Sequence, residues 1–177
     1  MSVLQAEDRR MLKEMPIERL LDLFLLHIRN LWRVDGLYFL GIEDKFGTDA
    51  ATEIDADCWK FMGRVEARDL KRVLGIEKSD LNSFMKALRN TSWSLDQREV
   101  ETELAEHKAV YQVNTCGTQL TRTHRGLGIF PCKKVRLGYL ESFAQEFSPN
   151  IKVICEFCPP DERPEGVWCR WRFELKE

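Results

Sequence analysis

The stretch IKVICEFCPPDERPEGVWCRWRFEL, from Ile151 to Leu175, constrains the fold more than any other part of the chain. In its second arm Val167, Cys169, Trp171, Phe173 and Leu175 alternate with Trp168, Arg170, Arg172 and Glu174, a period of two that sends one set to a packed face and the other to solvent. In the first arm Ile151, Val153, Cys155 and Phe157 alternate in the same way with Lys152, Ile154, Glu156 and Cys158. The segment between the arms, PPDERPEG, holds three prolines and a glycine and cannot continue a ladder. The stretch therefore reads as a β-hairpin with Cys155 and Cys169 facing inward, opposite each other, and with Cys158 at the strand end. One slip of register separates the two thiols.

Facing thiols permit three kinds of chemistry. They are core residues, since free cysteine is among the most buried residue types, or a disulfide, or part of a metal or nucleophilic site. The amino terminus, MSVLQAEDRRMLKEM, is charged and lacks the apolar core of a secretory signal, and no run reaches the roughly 18 apolar residues of a membrane span. The expected location is therefore cytoplasmic. Thiols there stay reduced, which turns six cysteines away from a disulfide framework and toward burial, metal or catalysis. With 27 basic and 29 acidic residues interspersed and a net charge of −2, no global field favours nucleic acid or a membrane surface.

Upstream the hydrophobic period changes to 3.6. Residues 1–16 form a polar lead-in with weak helical character, ended by Pro16 at the first position of the next helix. From there Ile17, Leu20, Leu21, Phe24, Ile28, Leu31, Tyr38, Phe39, Ile42 and Phe46 share one stripe. Leu23, Leu26, Val34, Leu37 and Leu40 lie off it, so helix 17–46 is apolar on much of its circumference and packs on two sides or against a second subunit in a homodimer. Asp35 falls near the centre of the stripe. Either it is buried beside a partner, a metal or a ligand, or the chain breaks at Asp35-Gly36 and Asp35 caps a second helix. Glu43, at the stripe edge near Trp32, is a solvated side chain or a second ligand contact.

Gly47 ends this helix and Thr48 caps the next, in which Ala50, Ala51, Ile54, Cys58, Phe61, Met62 and Val65 share a face, making Cys58 a core thiol. Ser79 caps a third helix with Leu81, Phe84, Met85 and Leu88 inward. Strands are expected over Arg98–Leu104 and Ala109–Cys116, then helices from Gln119 to Arg125 and from Pro131-Cys132 onward, the latter with Val135, Tyr139, Leu140 and Phe143 inward. The fold class is α+β, a helical half (17–92) and a cysteine-rich α/β half (93–177) in one domain, with helices on an antiparallel sheet of about four strands.

Cys116 precedes one helix start and Cys132 stands at another beside Lys133 and Lys134, settings that favour thiolate. With the hairpin they make a candidate metal set of Cys116, Cys132, Cys155, Cys158 and Cys169 for zinc or iron, although structural zinc usually shows two tight pairs and only one CxxC is present. Cys132, Cys155 and Cys169 are the candidate nucleophiles. Asp161, in the CPPD loop, orients a cation or a thiol. Neither His107 nor His124 has a spacing that marks it as a catalytic base.

The runs NLWRVDGLYFLGIEDKFG with Ala50 and Ala51, TCGTQLTRTHRGLGIFPC and CEFCPPDERPEGVWCRWRF resemble an uncharacterised prokaryotic family of unknown function, in which a W-x-x-D-G helix precedes a cysteine-rich α/β half. The likeness spans residues 17–175 and implies a fold without an activity. More distantly, the cysteine-bearing strand, acidic loop and final Cys-x-aromatic-x-aromatic strand resemble the ends of aminothiazoline-carboxylate hydrolase-like proteins and of four-vinyl-reductase domains. The first implies thiol-dependent ring opening, the second small-molecule sensing with metal ligands, and only Cys155 or Cys158, Asp161 and Cys169 carry across. Three functions are thus expected in turn: a cysteine-lined site for a small molecule or metal ion, a thiol-dependent hydrolase, or a structural protein with buried thiols.

Overall fold

The computed structural model describes residues 4–176. After a short exposed helix, α1 (Ala6–Glu14), the whole periodic stretch forms one helix, α2 (Ile17–Phe46), which passes Asp35-Gly36 without interruption. Asp35 is therefore a helix-interior residue and not a cap. Gly47 alone makes the reversal into α3 (Thr48–Val73); it adopts φ 86°, open to glycine at no steric cost, and its N–H closes on the Glu43 carbonyl. Gly47, not Thr48, is the cap, and the Thr48 hydroxyl donates back to Glu43 instead.

The inward face of α3 differs from the expected one. Ala51, Thr52, Ala56, Trp59, Gly63 and Ala67 are buried, whereas Ile54, Cys58, Phe61 and Met62 are exposed. Close approach decides this. A β-carbon on Gly63 would lie 2.5 Å from the Tyr139 carbonyl oxygen, so the small-residue line lets α3 lie directly on the backbone of α7 (Lys133–Phe147). A line of phenylalanine and methionine cannot come that near, and Cys58 is consequently a surface thiol and not a core one.

Helix α4 (Leu81–Leu88) buries Leu81, Phe84, Met85 and Leu88; its cap is Asp80, whose carboxylate accepts from Ser83 N–H at 2.8 Å, one residue later than expected. Thr91 does not merely close α4 but caps a further short helix, α5 (Ser92–Asp96). Strands β1 (Glu99–Leu104) and β2 (Lys108–Thr115) follow, then α6 (Gly117–His124) and α7, and last the hairpin strands β3 (Ile151–Phe157) and β4 (Cys169–Leu175). The sheet is antiparallel throughout, in the order β1-β2-β4-β3. Its inner face carries Tyr111, Val113, Cys169, Trp171 and Phe173, alternating as the period of two requires, and α7 covers it with Val135, Tyr139, Leu140 and Phe143. Phe84 meets Phe143, Phe147 and Phe173 at ring separations of 4.7–5.8 Å, which locks α4, α7 and the sheet together.

The register of the hairpin corrects one pairing. Cys155 stands opposite Trp171, not Cys169, and Cys169 pairs instead with Val113 of β2. Cys155 belongs to the regular register that runs from Ile151 opposite Leu175, and the irregularity comes only after it, where Phe157 pairs with Arg170; Trp168 N–H bonds the Val113 carbonyl at 2.8 Å at the start of β4. Long α2, meanwhile, buries only Phe39 fully; Ile17, Leu31, Val34, Leu37 and Tyr38 remain exposed.

Candidate functional site

The cysteines of the second half converge where α7 begins. Cys132 caps α7, Cys158 follows the end of β3, and their sulfurs are 3.6 Å apart. Cys158 is fully buried, with the thiols of Cys132, Cys155 and Cys169 as its neighbours, so it is held protonated and its pKa lies far above the ordinary thiol value. Contact with Cys158, its largest influence, holds the Cys132 thiol below its usual pKa against the effect of burial, with help from Arg136 and from the Gln119 side-chain amide at 3.5 Å. Cys155 is lowered in the same manner, first by Cys158, with the Lys133 charge assisting against burial. Cys116 runs the other way: burial pushes it up to about 12, so its place before a helix start does not make it a thiolate.

Cys116, Cys132, Cys158 and Cys169 share a cavity of about 40 Å³ with Trp32, Asp35, Asp55 and Trp59 of the helical half and with Gln119 and Arg136 of their own half. The most unusual is Arg136, one turn after Cys132 and 8% exposed. Its guanidinium lies 4.5 Å from the Trp93 ring centroid, 5.2 Å from Tyr139, 5.6 Å from Trp59 and 5.8 Å from Trp32, and its Nη1 is buried without a hydrogen-bond partner. Trp32 and Trp59 stack at 4.8 Å and 5°, and the Trp59 indole donates to Asp35 at 3.1 Å. Burial raises the Asp35 carboxyl against the pull of that indole and of Arg136. Asp55 is raised to about 7, by burial first and by the neighbouring Asp35 second.

Other candidates lie apart. Glu43 is taken up by Arg122, whose two terminal nitrogens reach its oxygens at 2.8 and 2.9 Å; that hydrogen bond, its largest influence, lowers the carboxyl. Arg122 is itself buried over Phe39 and Phe130, so the pair fastens α6 to the end of α2 and Glu43 is neither solvated nor aimed into the cavity. Asp161 accepts from Lys133 Nζ at 2.8 and 3.0 Å and from Cys158 N–H at 3.2 Å, fixing the CPPD loop to the first residue of α7. It positions Cys158 from outside the cavity. His107 and His124 are exposed and away from the thiols. Among the described residues, no group of three or more His, Cys, Asp or Glu side chains is arranged to hold a metal ion; the thiols meet pairwise through hydrogen bonds.

Arg136, Asp55, Trp59 and Gln119 had no place in the sequence reading. Arg136 carried a signal, an arginine at i+4 from Cys132 on the same face as Tyr139, Leu140 and Phe143. Gln119, 1% exposed, clasps the Phe130 backbone at both ends, accepting its N–H at 2.9 Å and donating to its carbonyl at 2.8 Å.

Fold and site together define an α+β protein with a small, mainly apolar cavity, carrying a few charged and amide groups, between a helical layer and an antiparallel sheet. The chain belongs to a family of unknown function, DUF6125, whose family model matches residues 13–175. No curated protein and no solved structure matches it. No described helix is long and apolar enough to cross a membrane.

Proposed function

We propose that the protein binds a small anionic molecule, with a carboxylate or similar planar oxyanion paired to Arg136 and the Cys132 sulfur beside it. One observation carries this reading: a guanidinium nine-tenths buried, with Nη1 unpartnered, lining a cavity. A buried charge without a hydrogen bond is costly, and a bidentate oxyanion is the chemistry that a planar guanidinium fork fits. Neither Asp35 nor Asp55 supplies that bond. With Asp55 titrating at about 7, the negative charge facing Arg136 near neutral pH is also incomplete. A volume of about 40 Å³ admits a few water-sized groups, hence the acidic head of a ligand and not its whole body.

A second reading, a thiol-dependent hydrolase, draws support from one further feature: the lowered Cys132 thiol and Asp55 line the same cavity as nucleophile and proton donor. Cys155 and Cys169 are weaker choices, since Cys155 lies outside the cavity lining and Cys169 is buried.

The probe is a pair of alkylating agents that differ in charge. Iodoacetate carries a carboxylate to Arg136 and an electrophile to Cys132, while iodoacetamide lacks the charge; Cys58, exposed in the single chain, serves as internal reference with every arm run at one dilute protein concentration. The Cys132-to-Cys58 labelling ratio is expected to be about tenfold higher with iodoacetate, equivalent to about 1.4 kcal/mol, and to fall to the iodoacetamide value in Arg136→Gln. Equal ratios in the parent overturn the reading. One equivalent of zinc or iron in protein purified without a histidine tag, with Cys132 and Cys158 both protected, replaces it with a metal site.

A further inference from the structure

The two longest helices expose apolar surface that their own fold does not use. On α2, Leu31, Val34 and Tyr38 are 46%, 52% and 72% exposed; on α3, Ile54, Phe61 and Met62 are 48%, 67% and 39% exposed. The stacking of Trp32 on Trp59 and the bond from Trp59 to Asp35 set the register of the antiparallel hairpin, so the stretch around Leu31–Tyr38 lies level with Ile54–Met62. The buried residues of both helices, Phe39 on α2 and Ala56, Trp59, Gly63 and Ala67 on α3, face α7 and the sheet. At 100° per residue Leu31 and Tyr38 stand about 80–100° round α2 from buried Phe39 and Val34 about 140°, while the α3 line lies opposite that helix's buried line, so the exposed residues of both helices border one outward layer, two helices wide.

The spacing on α2 is that of a packing seam. Ile17, Leu20, Phe24, His27, Leu31, Val34 and Tyr38 follow at intervals of three and four, and Ile54, Cys58, Phe61 and Val65 do the same on α3. Neither line contains a Lys, Arg, Asp or Glu, so the layer offers nothing to a charged partner. What it matches is another apolar helical hairpin, and this chain supplies one. The six central side chains, about half exposed and of about 150–200 Å² each, contribute roughly 500 Å². Continuation along Ile17 and Phe24 brings the face near the roughly 800 Å² per partner of a standard interface and past the usual apolar patch of a monomer.

We infer that the outer face of the α2–α3 hairpin is a homodimer interface, in which a second copy packs its own hairpin about a two-fold axis to complete a four-helix bundle. An isologous contact follows, because each hairpin presents the same surface to the other. The pocket stands on the far side of α3, so this inference is independent of the ligand reading.

Sedimentation velocity of the full chain, in the tens-of-micromolar range, is expected to give twice the 20.8 kDa monomer mass. Val34→Glu combined with Phe61→Glu is expected to give a monomer with the parent far-UV circular dichroism, since both side chains are exposed in the single chain. Should that variant fail to fold, Cys58 supplies the second measurement: it lies on the α3 line, so its alkylation in the parent should speed up severalfold on hundredfold dilution. A parent that sediments as a monomer, a dimer that persists in a folded double variant, or a Cys58 rate independent of dilution overturns the assignment.

Discussion

Replacing Asp55 with Asn should make the protein more stable at neutral and alkaline pH and leave it unchanged in acid. The Asp55 carboxyl is raised from 3.8 to about 7, because burial and the nearby Asp35 disfavour its charge more than Arg136 and the Trp59 indole favour it. Between those values the folded chain binds more protons than the unfolded one, so unfolding free energy falls as pH rises. The stability from this group is fully present below about 3.8, is lost progressively on the way to about 7, and is absent above. At about 1.4 kcal/mol per pKa unit the ceiling is about 4 kcal/mol. Asp55 is only partly buried, and screening and relaxation reduce the loss, so about 1–2 kcal/mol is the expected size. Urea titrations of parent and Asp55→Asn at pH 4, 6 and 8 measure it: the difference should be near zero at pH 4 and reach about 1–2 kcal/mol in favour of the variant at pH 8. Asp35, also raised, is coupled to Asp55, so the pH dependence of the difference reports the pair and not Asp55 by itself. A difference that is constant across the range would refute the account of Asp55 as a buried acid.

Gly63→Ala should destabilise by about 1–2 kcal/mol despite alanine's better helix propensity, because the new methyl meets the α7 backbone at 2.5 Å; a melt at or above the parent's would show that the helices part without cost. Glu43→Gln takes the countercharge from the buried Arg122 guanidinium, which keeps the Leu127 and Gly128 carbonyls, and should cost about 1–3 kcal/mol in a denaturant titration. Because Glu43 is lowered by that pairing, its contribution is present above the ordinary carboxylate range and lost as pH falls through the folded value. Under a mild diamide excess, peptide mapping should recover a Cys132–Cys158 disulfide ahead of any other, given sulfurs 3.6 Å apart; a first product joining Cys155 to Cys158 would contradict the packing described.

The change of period from 3.6 to 2 was enough to place the sheet, its antiparallel sense and the inward set Cys169, Trp171 and Phe173, because local alternation and burial agree there. Where two apolar lines competed on one helix, periodicity chose wrongly. On α3 it favoured Ile54, Cys58 and Phe61, while the fold used the smaller residues around Gly63, a preference created only by the approach of α7. The hairpin itself was legible but its register was not: the expected pairing of Cys155 with Cys169 gives way to Cys155 opposite Trp171 and Cys169 opposite Val113, because β4 also pairs with β2. Asp35 could be singled out as a charge in an apolar stripe. Arg136 carried the same kind of signal on α7 but acquires meaning only when Trp32, Trp59 and Trp93 arrive from three other helices.

Those three indoles are also an optical instrument. Of the five tryptophans, Trp32, Trp59 and Trp93 line the cavity, and two of them stack almost parallel at 4.8 Å. Rings so close couple their transitions, and the cation among them shifts their energies. Any molecule drawing the Arg136 guanidinium away from the rings should change both near-ultraviolet dichroism and emission colour. On the proposed oxyanion reading, occupancy of the cavity is thus readable without a dye or label, and a library of unlabelled metabolites can be screened by emission spectrum alone.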